Sequence, residues 1–338
     1  MAHDLDTTVS VVRRAAPNLL SRANVVAAGV GFKVTGGRRT SDLAIVCSVT
    51  QKLAEAQLAP ADLVPRTFDG IPTDVVQTGR IRAQQSRTAR HRPAPGGVSI
   101  GHRDITAGTL GCLVRKDGDV LILSNNHVLA DSNDARLGDA ILQPGPIDGG
   151  RFPDDHIANL EAFVPISFAR PEPASECATG RVVVAALNAV CAGISSKTRY
   201  RTITLQAQEN LVDAALARPL NPADLSDEIL EIDTIEGVAE ADLGTTVKKS
   251  GRTTGLTTGE ILQVAVTVDV GYGGGRTARF VDQLLAGPMS QGGDSGSAIL
   301  DDQNRLVGLL FAGSDSTTII NRISHVFSAL GVHRRWFE

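Results

Sequence analysis

Three stretches of this chain carry residue types that can do chemistry together. In Gln291-Gly292-Gly293-Asp294-Ser295-Gly296-Ser297-Ala298-Ile299-Leu300 a serine lies between glycines, follows an aspartate and precedes a small, apolar run. Glycine tolerates positive φ, so the backbone can turn sharply there. Such a turn can aim the N–H groups of Gly293 and Ser295 at one point beside the Ser295 hydroxyl. A nucleophile next to two converging donors is what acyl transfer requires. The same residues also suit a plain Gly/Ser turn before a strand, so the chemistry needs a base and an acid from elsewhere.

A base is available in Ser124-Asn125-Asn126-His127-Val128-Leu129-Ala130, where a strand ends in a polar pair and a histidine. An acid is available in Asn210-Leu211-Val212-Asp213-Ala214-Ala215-Leu216-Ala217, read as an apolar strand holding one carboxylate. An isolated charge in such a strand is costly to bury and calls for a partner. A histidine that donates its Nδ1–H would satisfy it. The alternatives are a structural histidine and an edge strand with Asp213 in water.

The elements around these stretches read as short strands. Thr106–Val114 and Val120–Ser124 flank the turn Lys116-Asp117-Gly118, and residues 157–164 form a further strand. In the second half, residues 258–270 alternate and return through the hairpin tip Gly271-Tyr272-Gly273-Gly274-Gly275 as residues 277–285. The serine turn then feeds residues 297–300, 305–311 and 317–321, and a closing helix covers 323–330. The halves 100–220 and 243–322 each hold about six short strands, which fits two packed barrels. Residues 180–193 read as a helical insertion, and 219–241 as an acidic, solvated connection.

Ahead of the barrels, residues 5–21 pattern as an amphipathic helix with Val9, Val12, Leu19 and Leu20 on one side, disturbed by Pro17. Residues 25–34 and 43–49 pair as a hairpin, 52–64 read as a short helix broken by Pro60 and Pro65, and 71–78 as a strand. Residues 1–78 are therefore expected to form a small α+β domain. Residues 79–99, rich in Arg, Gln, Pro and Gly, are expected to be a linker to a domain over 100–338.

Composition narrows the function classes. Of 338 residues, 42% are apolar and only 4% aromatic, so the cores are aliphatic. The net charge of −4 with interspersed signs points away from nucleic acid and from an anionic membrane surface. No 18-residue apolar run and no signal-peptide pattern occur, and a cytoplasmic location is expected. Cys47, Cys112, Cys177 and Cys191 lack metal-site spacing and are read as reduced, buried small hydrophobes. Asp154-Asp155-His156 reads as a solvated loop, because adjacent ligands rarely converge on one ion. No metal and no cofactor is expected.

The order His127, Asp213, Ser295, with these local contexts, resembles the trypsin/chymotrypsin-like serine peptidases. Together with Lys249–Gly259 (KSGRTTGLTTG), residues 210–217, residues 141–150 (ILQPGPIDGG) and the preceding α+β domain, it is similar to the Narrow leaf type of bacteria and plants. The resemblance implies a mainly β fold with two six-stranded antiparallel chymotrypsin-like barrels and activity as a serine endopeptidase on protein or peptide substrates. It implies Ser295 as nucleophile, His127 as base and then acid, Asp213 as the group that fixes the imidazole tautomer, and Gly293 and Ser295 as oxyanion-hole donors. Met289, six residues before Ser295, would set the base of the primary specificity pocket, with Phe311, Ala312 and Gly313 as one wall, suiting an apolar side chain.

Departures from the family's secreted members accompany the likeness. No cysteines flank His127 or Ser295, in keeping with a reducing compartment. Residues 97–102 do not match a zymogen activation sequence, so Asp294 needs an internal partner. An internal cation or a backbone N–H group should hold it, and Arg252 and the arginines Arg80, Arg82, Arg87 and Arg90 are available for this, with no choice made among them. A catalytically silent binding or scaffold protein on the same fold is the alternative function, and homo-oligomerisation stays open.

Overall fold

The computed structural model describes residues 4–79, 81, 86–173, 178–194, 198, 200, 203–206 and 209–332. Arg80, Arg82 and Cys177 lie outside the described residues. The chain divides into two compact units, residues 1–85 and 86–338.

In the smaller unit, helix Leu5–Leu20 begins where Asp4 accepts a hydrogen bond from the Thr7 N–H at 2.9 Å. It covers a four-stranded sheet whose order is Val25–Thr35, Arg38–Val49, Ile71–Gln77, Thr67–Phe68. The buried helix face is Val11, Val12, Ala15 and Leu19. Leu20, expected on that face, points outward, because an i, i+3, i+4 stripe through Val12 and Leu19 leaves it one residue too far round. The helix expected over 52–64 is a single 3₁₀ turn, Glu55–Gln57, since Pro60 and Pro65 remove the N–H donors that would extend it.

The two main sheets of the larger unit are each closed into a ring of six strands. In the first, Ser99–His102, Ala140–Leu142, His156–Phe163, Ala215–Pro219 and Asp119–Ser124 pair antiparallel in that order. Gly108–Thr109 and Cys112–Lys116 close the ring from its two ends. They are one bent strand interrupted at Leu110-Gly111, where the Leu110 N–H turns to Val98 O and the Gly111 N–H to Leu123 O. In the second, Thr277–Ala286, Gly255–Gly271, Thr246–Gly251, Ala298–Asp301, Arg305–Gly313 and Thr318–Arg322 pair in turn, and the last returns to the first. This is the mainly β, two-barrel architecture expected from the sequence. Short parallel strands, Glu209–Asn210 and Gly237–Val238, are added to the second sheet.

The cores follow the two-residue alternation of strands. Ile100, Leu110, Ile122, Ile141 and Ala217 fill the first barrel, and Val247, Ile261, Leu284, Ile299 and Ile320 the second. The interface between them is apolar as well: Cys112, Leu123, Val212 and Leu216 meet Ala298, Leu309 and the closing helix Ile323–Leu330. Fully burying such an aliphatic side chain contributes about 1.5–3 kcal/mol, so many of them compensate for scarce aromatics. The later part of the expected linker belongs to this unit. Ala94 and Val98 are buried, Ala94–Gly96 pairs with Leu225–Ile229, and Arg87 bonds Ser250 and Glu231.

Candidate active site

Strand register places His127 and Asp213. Ala215 lies opposite Ser124, so the residues just before Ala215 face those just after Ser124. Asp213 therefore sits beside Asn125 and His127, on the irregular run before strand Ala215–Pro219 rather than inside a strand as its apolar surroundings suggested. Its backbone is held from two sides: its N–H donates to Asn321 Oδ1 at 3.0 Å, and its carbonyl accepts from Asn125 Nδ2 at 2.7 Å. Asn321 in turn donates to Gln283 Oε1 at 2.7 Å.

The Asp213 carboxylate is fully buried and saturated with donors. Oδ2 accepts from His127 Nδ1–H at 2.6 Å and from the Tyr272 hydroxyl at 2.8 Å, and Oδ1 accepts from the His127 N–H at 3.2 Å. With Nδ1 donating, the neutral imidazole carries its lone pair on Nε2, the nitrogen a base needs free. His127 is the second residue of a short helix, Asn126–Leu129, which is followed by three consecutive left-handed residues, Asp131, Ser132 and Asn133 (φ 47°, 53° and 80°). Such backbone is strained for non-glycine residues and persists only where its surroundings fix it. Asn126 and Asn133 exchange hydrogen bonds at 2.7 and 3.0 Å, and Asn133 Nδ2 donates to Ile166 O at 2.7 Å.

The serine turn is anchored to both barrels. Thr109 N–H donates to Ser295 O at 2.8 Å and Thr109 Oγ1 to Gly293 O at 2.9 Å, from the first barrel. Gly296 N–H donates to Leu310 O at 2.8 Å in the second. Gly293 has φ +96°, and a Cβ there would lie 2.5 Å from Arg252 Nη1 and Thr253 Oγ1. Among the described residues, neither the Gly293 nor the Ser295 N–H is engaged in a hydrogen bond. Ser295 Oγ donates to Phe311 O at 3.4 Å. The neighbouring hydroxyls are occupied inside: Ser297 is buried and donates to Asp294 O at 2.6 Å, and buried Ser250 accepts from Arg87 Nη1 at 2.6 Å.

Asp294 is fully buried and is held by backbone N–H groups, one of the two kinds of partner expected, while its cation is Lys249 and none of the described candidates Arg87, Arg90 and Arg252. Oδ1 accepts the N–H groups of Thr253 and Thr254 at 2.8 and 3.1 Å, and Oδ2 accepts the Gln291 N–H at 2.9 Å and Thr254 Oγ1 at 2.6 Å. Lys249 Nζ approaches Oδ2 to 3.3 Å. Arg252 is committed to Asp148 in a bidentate pair at 2.5 and 2.6 Å, Arg87 to Ser250 and Glu231, and Arg90 to Asp155 at 3.1 Å. Burial opposes ionisation of Asp294, yet the Thr254 hydroxyl, Lys249 and the Gln291 and Thr254 N–H groups outweigh it and hold the carboxyl below its usual range. Burial pulls Lys249 the other way, below the usual ammonium value, with Asp294 opposing. The carboxylate side decides the pair, because four donors besides Lys249 stabilise its charge.

His127 and Ser295 border one cavity of about 1040 Å³. Its lining is apolar at Val268, Val270, Leu285, Phe311 and Ile319, continues through Ala312 and Gly313, and is charged at Asp104, Asp131, Asp269 and Arg276. Burial raises the Asp131 carboxyl above its usual value. Met289 is not on this wall. It packs inside the second barrel with Val247 and Ile261 and borders a separate recess of about 370 Å³ with Ser290, Gln291 and Asp315.

Two other histidine–aspartate pairs, His102–Asp139 at 3.3 Å and His325–Asp282 at 2.7 Å, do not line the cavity. His156 bonds Asn159 Oδ1 at 2.8 Å, and Asp155 receives the Arg151 N–H at 2.9 Å. Among the described residues no group of three or more His, Cys, Asp or Glu is placed to hold a metal.

Sequence reasoning missed Lys249, Tyr272, Asn125 and Asn321. For Lys249 a signal exists: Val247 and Lys249 share one face of strand Thr246–Gly251, so alternation sends the lysine inward with the valine. Tyr272 stands alone in a glycine-rich tip, with no pattern that aims it at Asp213.

No family model matches the chain, and no curated protein matches it. Solved structures that it resembles include a glutamic acid-specific serine protease with a histidine triad in substrate binding (18% identical, covering 71% of this chain and 98% of that one, TM-score 0.43). Protease A of Thermobifida fusca is 15% identical, with coverages of 71% and 98% and a TM-score of 0.44. A Nocardiopsis protease is 14% identical, with coverages of 72% and 100% and a TM-score of 0.44.

Proposed function

We propose that this protein is a serine endopeptidase of the trypsin/chymotrypsin-like kind, with the Narrow leaf type as the narrower assignment. The observation that carries the reading is the 2.6 Å bond from His127 Nδ1 to the buried Asp213 carboxylate, on the wall of the cavity that Ser295 also borders.

In this reading Ser295 Oγ rotates from the Phe311 carbonyl toward His127 Nε2 when a peptide enters. His127 takes the hydroxyl proton as Oγ attacks the scissile carbonyl carbon. The oxyanion that forms is received by the Gly293 and Ser295 N–H groups, which have no other hydrogen-bond partner among the described residues. Asp213 holds the tautomer and stabilises the imidazolium. His127 then gives its proton to the leaving amine, and water enters by the same route in reverse to hydrolyse the acyl-enzyme. The apolar lining at Phe311, Ala312 and Gly313 suits a medium apolar side chain, with Met289 outside that wall. Cys112, whose buried thiol is pushed up to about 12, takes no part.

The reading extends to a reducing, cytoplasmic setting, in which Cys47, Cys112 and Cys191 are free. No helix among the described residues is long and apolar enough to cross a membrane.

A second reading, a catalytically silent binding protein, draws on the orientation of Ser295 Oγ toward Phe311 O at 3.4 Å. One experiment separates the two. A fluorophosphonate probe should modify the intact chain, residues 1–85 attached, at Ser295 alone, and Ser295→Ala should abolish both labelling and digestion of a peptide library. Absence of labelling in the wild type would favour the silent reading. Labelling only of a species shortened between residues 80 and 101 would make the protein a zymogen.

A further inference from the structure

We infer that Tyr272 is a positioning residue: its phenol, delivered by a hairpin of the second barrel, fixes the Asp213 carboxylate that orients His127.

Tyr272 begins the tip that joins strand Gly255–Gly271 to strand Thr277–Ala286. The tip is held by the Tyr272 N–H on Arg276 O and the Arg276 N–H on Gly273 O, each at 2.9 Å. Gly273, Gly274 and Gly275 are all left-handed (φ 75°, 57° and 77°), a run that residues with side chains would resist. The tip is therefore shaped by its glycines and leaves one large side chain directed inward.

That side chain is fixed along its whole length. Its ring meets His127 edge-on with centroids 5.9 Å apart, packs edge-on to Phe168 at 5.4 Å, and lies against Phe280 at 6.3 Å. Its hydroxyl ends 2.8 Å from Asp213 Oδ2, the same oxygen that accepts from His127 Nδ1. Burial first, and the Asp213 charge second, push the phenol above its usual value, so it stays a donor throughout the working pH range.

The consequences follow from charge and geometry. Without the phenol the carboxylate would be held by His127 alone, through Nδ1–H on Oδ2 and a longer backbone N–H bond on Oδ1, and could shift together with that residue. A second donor on Oδ2 from another element removes that freedom. The acid and the base both come from the first barrel, whereas the phenol comes from the second, as does Ser295. Tyr272 thus ties the acid–base pair to the half of the molecule that carries the hydroxyl. Tyr272 borders the cavity beside His127, while Asp213 is fully buried, so the charge-assisted bond lies in a low-dielectric setting.

The test uses the full chain and Tyr272→Phe, which keeps the ring and deletes the donor. The first readout is the low-field proton resonance of His127 Nδ1–H, which needs no turnover and so does not depend on the peptidase reading. With one donor removed, Oδ2 concentrates its charge on the remaining bond, and the resonance should move further downfield. Incorporating 3,5-difluorotyrosine strengthens the phenol as a donor and should move it upfield, a second variant that retains the packing. A resonance that stays in place in both would overturn the inference.

The second readout rests on the peptidase reading. Tyr272→Phe should slow fluorophosphonate labelling and lower kcat by roughly ten- to a hundredfold, the worth of a hydrogen bond to a charged group, with KM within about twofold. The same change in an Asp213→Asn background should add almost nothing. A raised KM with unchanged kcat would make Tyr272 a wall of the cavity and reject the positioning role. If the wild type neither labels nor turns over, the peptidase reading fails and the resonance still decides the inference.

Discussion

Lys249 Nζ lies 3.3 Å from Asp294 Oδ2, and neither side chain is exposed to solvent. The lysine is brought there by pairing within one sheet, since strand Thr246–Gly251 runs beside strand Ala298–Asp301 with Lys249 opposite Ile299. It also donates to Gly255 O at 3.0 Å and to the Thr254 hydroxyl. The carboxylate next to Ser295 thus has its countercharge inside the folded unit, supplied by the chain itself.

Removing that countercharge leaves a buried carboxylate without its cation. Lys249→Met should destabilise the protein by about 3–5 kcal/mol, the cost of breaking a buried ion pair. Adding Asp294→Asn to it should recover a good part of the loss, because two neutral groups then face each other. Chemical denaturation of the two singles and the double gives the cycle. Singles that each cost under about 1 kcal/mol, against that expectation, would show that the ion pair is not what holds the turn.

The depressed Asp294 carboxyl also sets a pH dependence. A group whose folded value lies below its unfolded value stabilises the fold above the unfolded value, and loses that contribution as pH falls through the folded one. The unfolded reference here is 3.8. Stability of the wild type should therefore drop more steeply below about pH 4 than that of Asp294→Asn. Denaturation midpoints collected from pH 6 down to 2 test this, and parallel curves for the two proteins would contradict it.

Asp213→Asn keeps the shape of the acid but lets its amide donate toward His127, which favours the wrong tautomer. On the proposed mechanism, kcat should fall by about 10⁴-fold with little change in the melting temperature. A variant within roughly tenfold of wild type would be far short of the tautomer effect and would move the orienting role to another acid.

Gly293→Ala probes the turn itself. The left-handed φ of +96° costs an alanine about 1–2 kcal/mol, and the added methyl must displace Arg252 Nη1 and Thr253 Oγ1. Arg252 is the flexible partner, so the chain should still fold while the Gly293 N–H swings away. The expected result is a loss of about 10²–10³ in kcat, the worth of one oxyanion donor. Full activity in a folded Gly293→Ala would remove Gly293 from the proposed machinery.

The local features were legible because they depend on neighbours in sequence. The Gly-Gly-Asp-Ser-Gly turn, the polar end of the strand before His127 and the alternating strands of both halves each follow from backbone conformation and two-residue periodicity. The short helix over 52–64, expected to be broken by Pro60 and Pro65, shrinks to the single turn Glu55–Gln57. Asp213 was placed in a strand because Val212 and Ala214 beside it are apolar, whereas their burial comes from packing between the barrels.

By itself, the sequence determined the strand-rich class, the helix and hairpin of the first unit, the glycine turn around Ser295 and the strand end before His127. Only the tertiary structure decided which groups meet: Lys249 rather than an arginine on Asp294, Tyr272 on Asp213, and Met289 in the core instead of on the cavity wall. The first set depends on torsions and spacing along a few residues. The second depends on distances between residues 45 and 59 positions apart in the chain, and on whether a long side chain faces in or out, which is fixed when sheets close and exclude water.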